Sequence, residues 1–368
     1  MTTTVQRRFL DRATPPHIFT LIALTGLGAL SMNIFLPSLP QMTEYFATDY
    51  RLMQMSVALY LAVNAGLQIL IGPISDRYGR RPVLLWGVGV FLLATVGCLL
   101  ASTIEVFLFF RMMQAVVVVG LVLGRAVVRD MYPANQAASQ IGYVTMGMAI
   151  VPMIGPAIGG VLDQAFGWQA NFWLLLILGL FVMALTWRDL GETAQAKSGS
   201  FAAQFGEYPE LLASRRFWGY CLASAFASGA FFAYLGGAPY VGSEVFGLSP
   251  AAVGFYFGAP ALGYFFGNWI SGRYSVRVGI NAMILWGTLI STAGLIMSLL
   301  LFVLGLKTAL VFFGFMTFVG FGNGMVLPNA TSGMLSVRPH LAGTASGLGG
   351  AIMVGGGAAL SALAGVML

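Results

Sequence analysis

Arg111 stands where an arginine is costly. It lies within an apolar run, Phe107-Leu108-Phe109-Phe110 before it and Val116-Val117-Val118-Val119 after it. A guanidinium in hydrocarbon costs several kcal/mol unless it meets water, a counter-charge or hydrogen-bond acceptors, so such a residue is functional by default. Gln114, three residues on, shares its helical face. Asn33 is a second polar group in apolar surroundings, and its amide can donate and accept but cannot titrate. These types bind and orient; they do not make bonds. The 12 acids do not change that, because none falls deep in an apolar segment. Glu44, Asp49, Glu105, Asp163 and Glu244 sit at one set of segment ends, and Asp11, Asp76, Asp130, Asp189, Glu192, Glu207 and Glu210 at the other. His17 and His340 meet no acid pair or metal cluster, and Cys98 and Cys221 lie inside apolar stretches, so neither a metal site nor a disulfide framework is expected. No G-x-x-x-x-G-K-[ST] phosphate loop occurs. The expectation is a protein that is not an enzyme and has no cofactor.

The elements that position these residues are membrane-spanning helices. Charged residues make up 8% of the 368-residue chain, hydrophobic residues 58%, and mean hydropathy is +0.85. A soluble domain carries about 25% charge, so the chain reads as an all-α polytopic membrane protein. Windows of about 20 apolar residues fall near 17–39, 52–74, 82–101, 105–128, 137–163, 168–187, 216–238, 250–271, 280–304, 308–333 and 341–366, eleven spans. The first follows Arg7, Arg8 and Arg12 but is too long for a signal peptide and ends in Phe-Leu-Pro, so it is read as retained. With the N-terminus in the cytoplasm, fifteen of the 18 Lys and Arg residues fall inside and only Arg51 and Lys307 outside. That is the positive-inside pattern, and it makes the net charge of +6 topological, with no nucleic-acid partner implied. The longest break divides the chain into residues 1–188, a linker at 189–215, and 216–368. A shift of 196 residues lays Ser75-Asp76-Arg77-Tyr78 on Ser271-Gly272-Arg273-Tyr274, a repeat of a six-helix unit of which the second copy has five spans. Internal repeats joined by a linker are the build of large transporters, with the substrate site between the repeats.

Four motifs carry a family resemblance. Gly72-Pro73-Ile74-Ser75-Asp76-Arg77-Tyr78-Gly79-Arg80-Arg81 resembles the loop between helices 2 and 3 of the major facilitator superfamily. Pro152-Met153-Ile154-Gly155-Pro156-Ala157-Ile158-Gly159-Gly160 is similar to the motif of that superfamily's antiporters; its two prolines break helix hydrogen bonds and its small residues permit close approach. Phe110-Arg111-Met112-Met113-Gln114-Ala115 resembles the buried-arginine motif, with Ala115 in place of glycine. Asn33-Ile34-Phe35-Leu36-Pro37, Gly124-Arg125-Ala126-Val127-Val128-Arg129-Asp130 and Gly167-Trp168-Gln169-Ala170-Asn171 together resemble the Bcr/CflA branch of drug/proton antiporters.

The resemblance implies a major facilitator fold of two pseudo-symmetric bundles in a bacterial-type inner membrane. It also implies a monomer exporting drug-like molecules by alternating access in exchange for protons. It assigns a cytoplasmic gate latch to Asp76, with Gly72, Arg77, Gly79, Arg80 and Arg81 around it and Asp130 as partner. One departure stands out: the branch usually carries aspartate where this chain has Asn33. Coupling is then expected to move to a peripheral acid such as Glu44, Asp163 or Asp76, or to weaken, and an arginine without a midplane acid favours neutral or anionic substrates. Tyr60, Asn64 and Gln68 form a polar row at four-residue spacing that serves either substrate contact or helix–helix bonding. Phe231, Phe232, Tyr234, Tyr256 and Phe257 offer an aromatic wall, Met146 and Met148 adaptable surface, and Asn323 and Asn329 further polar contacts. Proton-coupled uptake of a small polar solute is the first alternative, and a non-transporting truncated relative the second.

Overall fold

A computed structural model describes residues 9–14, 16–131, 151, 154–193, 208–338 and 342–367. The described residues are mainly helical, and none of them is in a strand. Among the described residues nine helices are long and apolar enough to cross a membrane. Of the other two expected spans, one is an interrupted helix, Pro250–Tyr256 and Gly258–Val278, and the other is described only from its end, a helix over 154–166.

In chain order the helices are α1 (Ile18–Asn33), α2 (Leu39–Tyr45), α3 (Tyr50–Tyr78), α4 (Arg80–Leu100), α5 (Ile104–Gln114), α6 (Val118–Met131), α7 (154–166) and α8 (Gln169–Asp189). There follow α9 (Tyr208–Leu212), α10 (Arg215–Tyr240), α11 (Pro250–Tyr256), α12 (Gly258–Val278), α13 (Ile280–Val303), α14 (Ala309–Val337) and α15 (Ala342–Met367). Three spans are broken where a helix breaker or a β-branched run predicts it. The first breaks after Asn33 ahead of Pro37 and Pro40, leaving a 3-10 turn at Leu36–Ser38. The fourth breaks at the 3-10 turn Ala115–Val117, inside its valine run. The eighth breaks at Phe257, because Pro260 offers no N–H to the Tyr256 carbonyl and its ring crowds it.

The stretch from Gly72 to Pro82, expected as a loop between two helices, is almost wholly helical. Helix α3 runs on to Tyr78 and α4 starts at Arg80, so Gly79 alone makes the turn. Its φ of 94° is one that side chains resist, and its N–H still bonds to the Ser75 carbonyl at 3.0 Å. Gly279 repeats this at φ 90°, with its N–H on Ser275 at 2.8 Å. The backbone therefore sets the internal repeat at 200 residues, one helical turn from the 196 read in the sequence, and pairs Ser75-Asp76-Arg77 with Ser275-Val276-Arg277.

Small residues let the later helices touch backbone to backbone. A Cβ on Gly263 would strike the Thr317 carbonyl, and one on Gly320 the Pro260 carbonyl, which clamps α12 on α14. The expected aromatic wall is mostly packing. Tyr234 and Phe257 are buried at 5.2 Å from each other, and Tyr256 stacks on Phe313 at 4.8 Å.

Candidate functional site

Arg111 is 1% exposed and wholly enclosed by uncharged groups. Its guanidinium donates to the Gln114 side-chain oxygen at 2.8 Å, to the Ser31 hydroxyl at 3.3 Å and to the Ser31 carbonyl at 2.9 Å. That carbonyl belongs to the last turn of α1, where helix carbonyls lack internal partners and the helix dipole is negative. The break after Asn33 thus supplies an acceptor and part of a counter-charge. The rings of Phe35 and Tyr60 cover the guanidinium at 4.3 and 4.0 Å, a desolvated cation–π pair worth about 2 kcal/mol each. Gln114 is fixed in turn, since its amide donates to Thr95 at 2.8 Å and Thr95 to the Phe91 carbonyl at 2.7 Å. Nε of Arg111 is buried without a hydrogen-bond partner.

Of the sequence candidates, Gln114 and Tyr60 join Arg111; Asn33, Asn64 and Gln68 make no bond to this cage. Asn33 is buried and spends its N–H on the Ala29 carbonyl at 2.7 Å, which leaves Oδ1 buried and unbonded. The Gln68 amide donates to Asn64 at 2.8 Å within α3. Asn329 ties α14 to α12 through the Ser271 hydroxyl at 2.7 Å. Met146 and Pro152 lie outside the described residues, as do Met148 and the side chain of Asp76. Ser31, Phe35 and Thr95 were not named as site candidates, because Ser31 and Phe35 reach Arg111, and Thr95 reaches Gln114, only through tertiary packing.

At the arginine-rich end Asp130, offered as a partner for Asp76, is held by Arg80. Arg80, 5% exposed, pairs with Asp130 at 3.1 Å and also donates to Ser75. Glu192 accepts the main-chain N–H groups of Arg80 at 2.8 Å and Arg81 at 3.2 Å, capping α4. Arg81 donates to the carbonyls of Leu190 at 2.9 Å and Trp187 at 3.3 Å. Arg77 stays exposed over Tyr78. In the repeat-related position the ion pair is absent among the described residues, and a cleft of about 330 Å³ opens between Ser271, Ser275 and Asn329. Asp130→Asn is expected to cost about 1–3 kcal/mol, since it weakens a charge-assisted hydrogen bond to a largely buried arginine. A thermal melt in detergent checks this, and Arg80→Gln in the same background should add little, as the pair acts as one unit.

The opposite end holds the early and late spans together. Tyr50 donates to the Gly236 carbonyl at 2.8 Å, and fully buried Gln54 donates to the Ser361 carbonyl at 2.7 Å. Here α7 carries the small residues of the second motif. A Cβ on Gly160 would strike the Pro250 carbonyl, and one on Gly254 the Pro156 carbonyl, so α7 and α11 meet backbone to backbone. Gly159 rests likewise on the Ile34 carbonyl, and Gly155 comes within reach of Leu30. Gln54 escaped the sequence reading because it lies off the four-residue row of Tyr60, Asn64 and Gln68.

A bundle of interrupted apolar helices, with a caged intramembrane arginine and a backbone seal between its early and late spans, is the architecture of a secondary transporter. Residues 21–362 match the Major Facilitator Superfamily, and the chain belongs to that family. It is 31% identical to Multidrug resistance protein D of Escherichia coli over 94% of this chain and 88% of that protein. It is 31% identical to a Chloramphenicol resistance protein of Pseudomonas aeruginosa over 89% of this chain and 79% of the other. A Bicyclomycin resistance protein homolog of Haemophilus influenzae is 25% identical over 96% of this chain and 89% of its own. These relatives bear out the resemblance to the drug-transporting branch. Among solved structures, a D-xylose–proton symporter shares the fold with a TM-score of 0.73 at 15% identity, covering 94% of this chain and 88% of that one.

Proposed function

We propose that this protein is a multidrug-type exporter of the inner membrane, working as a proton antiporter by alternating access, with its N-terminus in the cytoplasm. The observation that carries the reading is the backbone contact of α7 with α11 through Gly160 and Gly254, made by the antiporter-type motif between early and late spans. It supports a closed outer end, and the Arg80–Asp130 pair with its Glu192 cap supports a latch at the cytoplasmic end. The units proposed to rock are residues 1–188 and 216–368, joined by 189–215. Small amphipathic molecules are the substrates, protons the coupling ion, and the working form a monomer.

Asn33 does not bind a proton, so the proton is carried elsewhere. Asp163 supports that role best among the acids named above. It is 2% exposed, with the Gln41 side-chain amide against it. Once that amide is turned to face the carboxylate, its NH2 donates to both oxygens at 2.5 and 3.2 Å, and among the described residues no cation pairs with Asp163. The test is transport in proteoliposomes with an imposed pH gradient, using a neutral phenicol and a cationic dye in parallel. Gradient-driven phenicol export is expected; movement of neither compound by folded protein would sink the reading. Asn33→Asp should make transport more strongly pH-dependent, because a carboxylate there can take up and release a proton where the amide cannot. An unchanged pH profile counts against the assignment of that position.

A further inference from the structure

At the outer end Glu44, Asp49, Glu105 and Glu244 are exposed, whereas Asp163 is buried. What lies over Asp163 is Gln41, from the short helix α2 that follows the break in the first span. Gln41 is itself exposed, and among the described residues its amide has no partner besides that carboxylate. It therefore stands between a buried acid and the surface. Behind it, Asn171 of α8 donates to the Ser38 hydroxyl at 3.0 Å and to the Gly159 carbonyl at 3.3 Å. Gly160, which meets the Pro250 carbonyl of α11, is three residues before Asp163 on the same helix. The charged groups on the surrounding elements are Glu44 on α2, Arg51 on α3, Glu105 on α5 and Glu244 beyond α10, and α11 has none. None of them is paired with Asp163.

We infer that Gln41 is the positioning residue that sets the pH at which Asp163 exchanges its proton with the outer solution. Its role in transport rests on Asp163 carrying the proton, as proposed above. The reason lies in the chemistry of an amide. A charged carboxylate only accepts, and the Gln41 NH2 has two hydrogens to give. A protonated carboxyl has an O–H to donate, and the Gln41 side-chain oxygen accepts it once the amide turns over. One neutral side chain thus serves both forms of the acid. A cation at this place would hold Asp163 charged, and an apolar residue would leave its charged form buried without a donor. Either would fix one form, where a coupling site needs both. The Leu36–Tyr45 segment also packs on α10 and α11, so the amide turns beside the contact that closes the outer end.

The purified full chain in nanodiscs is titrated with acid and followed by infrared difference spectroscopy of the carboxyl C=O band. The part of the band that Asp163→Asn removes belongs to Asp163. In Gln41→Leu its midpoint should move to higher pH by about one unit, the weight of one hydrogen bond to a charged group. In Gln41→Lys it should move to lower pH by a similar amount, because an ammonium favours the carboxylate. Loosened packing does not produce shifts of opposite sign. Because Gln41 is exposed, both variants should melt within a few degrees of the parent. The pH midpoint of phenicol export in proteoliposomes should follow the same two shifts. A band that Asp163→Asn leaves whole, or a midpoint that stays put or moves the same way in both Gln41 variants, overturns the assignment. If the Asp163 midpoint moves as expected while export keeps its pH profile, Gln41 still governs Asp163, and it is the proton-carrying role of Asp163 that fails.

Discussion

Arg111→Ala is expected to abolish transport and to lower the melting temperature by about 5 °C. The substitution removes three hydrogen bonds from a charged donor, each worth about 1.5–3 kcal/mol, and the two ring contacts at 4.3 and 4.0 Å. It leaves the Ser31 carbonyl and the Gln114 oxygen buried without a donor. These terms overlap, and a net loss of at least about 3 kcal/mol is the conservative reading. In a chain of this size each kcal/mol shifts the melting temperature by about 1–2 °C. Arg111→Lys should be nearly as damaging, because an ammonium cannot serve Ser31 and Gln114 at once or lie flat between two rings. A lysine variant with normal export and melting would show that charge alone suffices and that the cage is incidental.

The second large effect separates two adjacent glycines. Gly160→Val pushes a branched side chain into the Pro250 carbonyl, across the contact between early and late spans. Gly159→Val pushes one into the Ile34 carbonyl, within the early spans. Overpacking costs about 1–3 kcal/mol in either place, but the cost falls on different equilibria. At Gly160 it is relieved by opening the outer end, so the variant should remain folded and shift toward an outward-open state. At Gly159 no rigid-body motion relieves it, so stability should fall instead. Labelling of Gln54→Cys by a membrane-impermeant maleimide reads the first effect; native Cys98 and Cys221 are buried and add little background. Label uptake should rise several-fold with Gly160→Val and hardly change with Gly159→Val. Equal labelling in both would dissolve the distinction.

Span positions were legible because apolar length and breaker residues act locally. Helices α13 and α15 end within two residues of the windows read from hydropathy. Around the site, legibility followed range. Gln114 could be assigned to Arg111 because three residues along a helix fixes a shared face, and Asp130 could be offered to the latch because it carries charge at the correct end. Ser31 could not, because what recruits it is a carbonyl freed by a helix break, and a carbonyl has no sequence signature. The repeat was placed one turn out because a four-residue slip keeps every side chain near the same face. Ser-x-Arg recurs at both registers, and only the matched glycine conformations separate them.

The end of α8 bears on how the chain is made. Asp189 is fully buried, and it accepts the main-chain N–H groups of Leu10 and His17 at 2.8 Å and the Thr20 hydroxyl at 2.5 Å. Gly191 lies against the Arg12 carbonyl, and Arg12 covers Trp187 at 5.1 Å. Leu10 and Asp189 are 179 residues apart. The arm ahead of the first span therefore has no seat until the sixth span has left the ribosome. At synthesis rates of about 5–20 residues per second, it waits for roughly ten to forty seconds. Its docking then closes the first six spans into a unit while the remainder is still unmade. The arm is thus a marker of assembly: its protection from protease should appear in nascent chains carrying the sixth span, and not in shorter ones.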